Sequence, residues 1–94
     1  MDRKAYIDKL DAQLKQWDAE IDKLEARVKK AEAGAKADYQ KQITDLRDKM
    51  QAAQDKLAEV KQSGEEAWRE LKSGTEEAFN TIKNAFQSAK SKFK

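Results

Sequence analysis

The sequence predicts an all-α protein, and three observations support this class. The 94 residues include no proline, and strand-favouring residues are scarce, with two valines and four isoleucines. Alanine, lysine, glutamate, aspartate and glutamine dominate, and most of these are good helix formers. Apolar residues recur at steps of three and four, which is the spacing of one helix face. With 38% hydrophobic and 40% charged residues, the chain is expected to form one domain with narrow apolar seams.

A first run of apolar residues covers the N-terminal third of the chain. Its members follow one another at steps of three and four, as in a heptad repeat, so the run predicts an amphipathic helix. The run consists of Ile7, Leu10, Leu14, Trp17, Ile21, Leu24, Val28 and Ala31.

A second run with the same spacing follows, and Ala35 and Tyr39 connect it to the first at steps of four. Alanines flank Gly34, and one glycine inside a helix costs only about 1 kcal/mol relative to alanine. The sequence therefore favours one long helix over residues 1–62, and the alternative is a three-helix bundle with a turn near Gly34. The second run consists of Ile43, Leu46, Met50, Ala53, Leu57 and Val60.

The two runs are symmetric about residue 37, and this symmetry predicts that they pack antiparallel. When residue numbers sum to 74, each of the six positions of the second run faces a position of the first run. The flanks of the first run are mostly acidic and those of the second mostly basic. Each exposed ion pair contributes about 0.2 to 1 kcal/mol, so the charges select the orientation more than they stabilise it. The predicted pairs are Glu25 with Arg47, Glu20 with Lys56 and Asp11 with Lys61, whereas Arg27 and Lys49 would face each other unfavourably.

The last third of the chain differs in character. Ser63 and Glu66 have capping-box spacing around Gly64, which predicts a break over residues 63–66 and a C-terminal helix over 67–94. Ser73 and Glu76 form a second, weaker candidate break. On a helical wheel one amphipathic stripe contains Trp68, Leu71, Thr75, Phe79, Ile82, Phe86, Ala89 and Phe93.

This amphipathic stripe is compatible with two different roles. It can pack on the first two runs, or it can lie on an anionic membrane with aromatic rings at the acyl boundary. No acidic residue follows Glu77, so the lysines beside the stripe could contact lipid headgroups. An unknown protein partner is a third possibility. The candidate anionic-surface contacts are Lys72, Lys83, Lys90, Lys92 and Lys94.

The sequence contains none of the usual residues for catalysis or transition-metal binding. Histidine and cysteine are absent, and Gly34, Gly64 and Gly74 are isolated, so no phosphate-binding glycine loop is formed. We therefore expect a protein that is not an enzyme and has no cofactor or metal. The net charge of +2 comes from alternating signs, so nucleic acid is not an expected partner. No segment has signal-peptide or membrane-span character, and a cytoplasmic location is the expectation.

Three stretches resemble small bacterial coiled-coil-domain proteins, some of them labelled stress-response proteins in cyanobacteria and proteobacteria. The stretches are YIDKLDAQLKQWDAEIDKLEA, ADYQKQITDLRDK and EEAWRELKSGTEEAF, and the contexts of Trp17 and Trp68 are the most distinctive parts. The resemblance implies a non-enzymatic protein made under stress and supplies no catalytic residue. In the C-terminal segment, Ala67, Ala78 and Ala89 recur every eleven residues, and so do Lys72, Lys83 and Lys94. This period is similar to that of apolipoprotein-like lipid-surface helices.

These observations predict a structural or protective protein that acts by helix–helix self-association, most simply as an antiparallel dimer. Peripheral binding to a membrane surface through the C-terminal helix is the alternative function. The oligomer seam is predicted to consist of Ile7, Leu10, Leu14, Trp17, Ile21, Leu24, Val28, Ile43, Leu46, Met50, Leu57 and Val60.

Overall fold

Residues 2–92, the part of the chain that the structure describes, fold into three helices and no strand. The structure is a computed structural model. Helix α1 spans Arg3–Lys30, α2 spans Ala33–Gln62 and α3 spans Trp68–Lys92. Together they form an elongated bundle of 51 × 19 × 17 Å.

The three helices run up, down and up. Tyr6 near the start of α1 contacts Trp68 at the start of α3, and Trp17 contacts Phe79 and Phe86 farther along. Because early residues meet early residues, α1 and α3 run in the same direction. Helix α2 packs against both and runs opposite to them. The all-α class and the antiparallel pairing of the first two runs are therefore confirmed.

The continuous helix predicted over residues 1–62 is wrong, because the chain reverses at Ala31 and Glu32. Both residues are extended, with φ −76° and ψ 156° at Ala31 and φ −65° and ψ 150° at Glu32. The alternative, a three-helix bundle, is the arrangement observed. The turn comes earlier than Gly34, which lies inside the first turn of α2 without a positive φ.

Helix α1 ends where its seam has few large apolar residues. Between Val28 and Tyr39 the seam positions are alanines, which give a continuing helix little surface to bury. Basic residues in the last turn of α1, including Lys29 and Lys30, suit the negative end of the helix dipole. The Ala31 N–H still donates to the Val28 carbonyl at 3.0 Å and closes the last turn.

The break predicted over residues 63–66 lies at residues 63–67 in the structure, and it is built differently from the prediction. The Ser63 hydroxyl donates to the Val60 carbonyl at 2.7 Å, so Ser63 closes α2 and does not N-cap α3. A turn follows, in which the Trp68 N–H donates to the Gly64 carbonyl at 3.2 Å. The weaker candidate break at Ser73 is absent, since α3 continues through Gly74.

One core runs along the bundle and receives side chains from all three helices. Thr75 is fully buried, and its hydroxyl donates to the Leu71 carbonyl at 2.8 Å, which satisfies the polar group inside the apolar core. The other large side chains with almost no exposed surface are Ile21, Leu46, Leu57, Val60 and Ile82.

Candidate interaction surfaces

The side chains of the predicted seam and stripe lie in the core of the bundle. All of the seam residues are buried except Ile7, which is half-buried against the core. The stripe residues are likewise buried except Leu71, which is half-buried, and Phe93, which lies outside the described residues. The structure thus brings the two predicted sets together within one chain.

Tyr6 belongs to the core and was missed by the sequence analysis, which began the seam at Ile7. Only 4% of Tyr6 is exposed, and its ring lies 5.3 Å from that of Trp68. Burial, with a further contribution from the charge of Glu76, raises the pKa of the Tyr6 hydroxyl. The four-residue step from Tyr6 to Leu10 was the available signal, because it extends the seam by one turn.

Arg47 of α2 lies among three carboxylates of α1. Its Nε donates to Glu25 Oε1 at 2.9 Å and its Nη2 to the same oxygen at 2.5 Å. Asp22 and Asp18 lie 3.6 and 3.9 Å from the guanidinium. The hydrogen bond to Glu25, aided by the three negative charges, raises the pKa of Arg47. The predicted Glu25–Arg47 pair is confirmed, and the acidic positions at four- and three-residue steps explain why one arginine reaches three partners.

The other end of the α1–α2 interface carries a second predicted pair. Lys61 Nζ lies 3.1 Å from Asp11 Oδ1, as the register requires. Nearby, the Arg3 guanidinium donates to the carbonyls of Val60 and Lys61, with Nε at 3.2 Å from the Val60 oxygen. These carbonyls belong to the last turn of α2, where the four-residue helical hydrogen bonds end, and the Val60 oxygen also accepts from Ser63. Arg3 therefore caps α2 from the adjacent helix.

The predicted Glu20–Lys56 pair is not formed, because α3 covers that flank of the α1–α2 pair. Glu20 instead lies 3.7 Å from Lys90 of α3, and Lys56 lies 3.7 Å from Glu59 on its own helix. Lys49 likewise pairs within α2, 2.6 Å from Asp45. One flank of the α1–α2 interface thus carries ion pairs and faces solvent, and α3 packs against the other flank.

Helix α3 contacts α1 through aromatic rings, while its closest backbone packing is against α2. The Trp17 ring of α1 lies between two rings of α3, 5.6 Å from Phe79 and 5.9 Å from Phe86 by their centroids. Lys72 Nζ lies 5.6 Å from the Tyr6 ring, which adds a cation–π contact at the start of α3. The aromatic residues that could enter a lipid surface are therefore the same residues that attach α3 to the bundle.

The candidate anionic-surface lysines occupy two different environments. Lys72 is half-buried against Tyr6, whereas Lys83, Lys90 and Lys92 are exposed on the second half of α3. Lys94 lies outside the described residues. Because no acidic residue follows Glu77, this half of α3 presents a basic outer face.

A shallow groove lies between α1 and α3 beside this basic face. Leu24 and Phe86 form its apolar floor, and basic side chains, among them Lys23 and Lys90, form its rim. Glu20 lies at the rim and pairs with Lys90, so the negative charge there is already partly neutralised. The groove is open to solvent and brings no nucleophile and base together.

The described residues, 2–92, hold no group of three histidine, cysteine, aspartate or glutamate side chains placed to bind a metal ion. Within the same residues, none of the helices combines the length and the apolar character that crossing a bilayer requires. In comparisons with known proteins, the chain matches no protein-family model, no curated protein and no solved structure.

Proposed function

We propose that this chain is a non-enzymatic, stress-associated structural protein that acts through helix–helix association with copies of itself. The observation that carries the proposal is the antiparallel α1–α2 seam with its matching ion pairs, which could form between two copies in the same register as within one chain. The large apolar residues of the chain lie in seams between helices, and its outer surface is mostly charged. The resemblance to bacterial stress-response coiled-coil proteins adds the protective role, which stays a prediction.

Self-association is tested by measuring molecular mass across a range of protein concentrations. We expect light scattering to show a dimer whose population grows with concentration, since association is governed by mass action. Ile21→Asp places a charge at a fully buried seam position and should abolish both the fold and the dimer. A wild-type mass that stays monomeric at every concentration would contradict the proposal.

The protective role is tested in the host cell by deleting the gene and measuring survival after heat, osmotic and oxidative stress. We expect lower survival, restored by the wild-type gene. Ile21→Asp should fail to restore it, while a surface change of similar chemistry, Ala19→Asp at an exposed position of the same helix, should restore it. Equal survival of deleted and wild-type cells under all three stresses would remove this role.

Reversible binding to anionic membranes is a second candidate function, favoured by the basic outer face of α3. Exposed Lys83, Lys90 and Lys92 could bind headgroups electrostatically, and release of α3 would free its aromatic stripe for insertion. Co-sedimentation with vesicles of anionic and of neutral phospholipid at low and high salt tests this. Replacing the three lysines with glutamine should abolish binding to anionic vesicles.

A matched control for that experiment replaces three exposed lysines of α1 with glutamine, namely Lys4, Lys9 and Lys15. Both triple variants have the same net charge, so their binding to anionic vesicles should differ only if the lysines of α3 contact the lipid. If the wild-type protein fails to sediment with anionic vesicles at low salt, the membrane function is wrong.

A further inference from the structure

We propose that Ala31 and Glu32 form a hinge that allows two copies of the chain to exchange their α1 helices. In the exchanged state, α1 and α2 of one copy become a single helix, and each α1 packs on the α2 and α3 of the other copy. The inference rests on the proposed self-association and names its interface, the α1–α2 seam, and its partner, a second copy.

The backbone of the hinge is already close to the one that a continuous helix needs. The φ values of −76° at Ala31 and −65° at Glu32 lie in the α-helical range. Their ψ values of 156° and 150° are extended, and a helix requires about −42°. Rotation about two ψ angles therefore converts the turn into helix. No residue in the described part of the chain has a positive φ that would have to change first.

The local sequence gives little support to the turn. The four residues from Lys30 to Ala33 are all good helix formers, without glycine or proline. Glu32 is the N-cap of α2, yet its side chain makes no capping hydrogen bond. A continuous helix would provide partners for the carbonyls that end α1 and the N–H groups that begin α2. The turn is thus maintained by packing of the helices it joins.

The other two helix starts of the bundle show what a locally encoded boundary looks like. Asp2 caps α1, with its Oδ1 accepting from the Ala5 N–H at 2.7 Å. The break before α3 contains the Ser63 hydroxyl bond to Val60, a glycine and a hydrogen-bonded turn. The hinge at Ala31 and Glu32 has no side-chain cap and no glycine, and only backbone hydrogen bonds, such as that from the Ala31 N–H to the Val28 carbonyl, close its two helix ends. It is therefore the point at which the chain can straighten.

The exchanged dimer would preserve the contacts of the closed bundle. Since α1 and α2 are antiparallel, two straightened chains can cross at the hinge and restore each seam between copies. The Glu25–Arg47 and Asp11–Lys61 pairs would form with the same register, now between chains. The connection consists of only two residues, and short hinge loops favour such exchange.

Glu32→Pro tests the hinge directly. Proline fixes φ near −65°, the value at Glu32, and it requires an extended residue before it, as Ala31 is. The variant should therefore keep the closed bundle, with an equal or higher melting temperature. Inside a continuous helix the same proline would lack the N–H that bonds the Val28 carbonyl, and its ring would clash with that carbonyl, so the exchanged dimer should be lost. Glu32→Ala is the matched control, because it removes the same charge and favours helix.

The proteins are refolded at high concentration, and mass and maximum dimension are measured by light scattering and small-angle scattering. For the wild type and Glu32→Ala we expect a dimer whose central helix, of about 60 residues, spans roughly 90 Å. Glu32→Pro should give only the closed particle, 51 Å long. A dimer that Glu32→Pro forms as readily as Glu32→Ala would overturn the hinge but leave self-association standing. The absence of any wild-type dimer would overturn both.

Charge reversal shows whether helices are exchanged between chains. Glu25→Arg and Arg47→Glu each place like charges together in a closed monomer or in a homodimer. In a mixed exchanged dimer, the reversed α1 of one variant meets the reversed α2 of the other, and the remaining interface is native. After co-refolding we expect heterodimers to exceed the statistical half of all dimers. If heterodimers make up no more than half of all dimers, the proposed exchange is wrong.

Discussion

The two sides of the α1–α2 pair are built from different interactions. The solvent-facing flank carries the Arg47 cluster and the Lys61–Asp11 pair, whose side chains remain about half exposed. The opposite flank is covered by α3, through the rings of Trp17, Phe79 and Phe86 and the fully buried Ile82. These two flanks have different roles, in which the ion pairs select register and the buried apolar face of α3 contributes more to stability than the ion pairs do.

The largest effect is expected from Trp17→Ala, which removes the ring between Phe79 and Phe86. The side chain is 7% exposed, and truncating a buried aromatic typically lowers the free energy of unfolding by about 3 to 5 kcal/mol. Chemical denaturation measures this loss, and Trp17→Phe, which keeps a ring, should lose less. An unchanged denaturation midpoint for Trp17→Ala would show that the aromatic contacts between α1 and α3 do not stabilise the bundle.

The sequence predicted this core well because the 3.6-residue period ties each apolar side chain to one face of a helix. The antiparallel pairing was also predictable, since two independent patterns, the seam and the flanking charges, agree on it. Glu25 with Arg47 and Asp11 with Lys61 are found as predicted. Glu20 was assigned to the wrong helix, because a pattern within residues 1–62 contains no information about where α3 packs.

The turn between α1 and α2 was the main feature that the sequence did not reveal. Helix propensity alone favours continuation through Ala31 and Glu32, and the alternative turn was predicted near Gly34, which lies inside α2. The observed reversal depends on α1 and α2 packing on each other within one chain, which is a tertiary contribution. The same lack of a local signal makes the hinge a candidate for exchange.

A smaller effect, in the stabilising direction, is expected from Gly74→Ala in α3. A Cβ at this position meets no heavy atom within 4 Å, and the backbone is helical. Alanine should therefore raise the free energy of unfolding by roughly 0.5 to 1 kcal/mol through helix propensity. Gly34→Ala in α2 is a companion variant with equally open surroundings. A loss of stability in either variant would mean that neighbouring atoms occupy the space into which the new Cβ points.

Arg47→Gln on the charged flank should lower the free energy of unfolding by an amount no larger than the gain expected from Gly74→Ala. Each exposed pair is worth about 0.2 to 1 kcal/mol, and salt screens such pairs. The free-energy difference between Arg47→Gln and wild type should therefore shrink at high salt, whereas that of Trp17→Ala should persist. A double-mutant cycle with Glu25→Gln isolates the hydrogen-bonded pair. A loss as large as that of Trp17→Ala would reverse the division of roles between the two flanks.

The smallest effect concerns Tyr6, where α1 meets the start of α3. Its hydroxyl lies 3.5 Å from the Lys72 carbonyl, a long hydrogen bond, so Tyr6→Phe should change stability little at neutral pH.

Burial raises the pKa of Tyr6 in the folded state above its ordinary value of 10.0. As pH rises past 10, the unfolded chain loses this proton first, so the folded state loses stability. Unfolding measured from pH 8 to 11 should show a steeper alkaline decline for wild type than for Tyr6→Phe, because lysine titration is common to both. Parallel declines would indicate that the Tyr6 hydroxyl reaches solvent as freely in the folded bundle as in the unfolded chain.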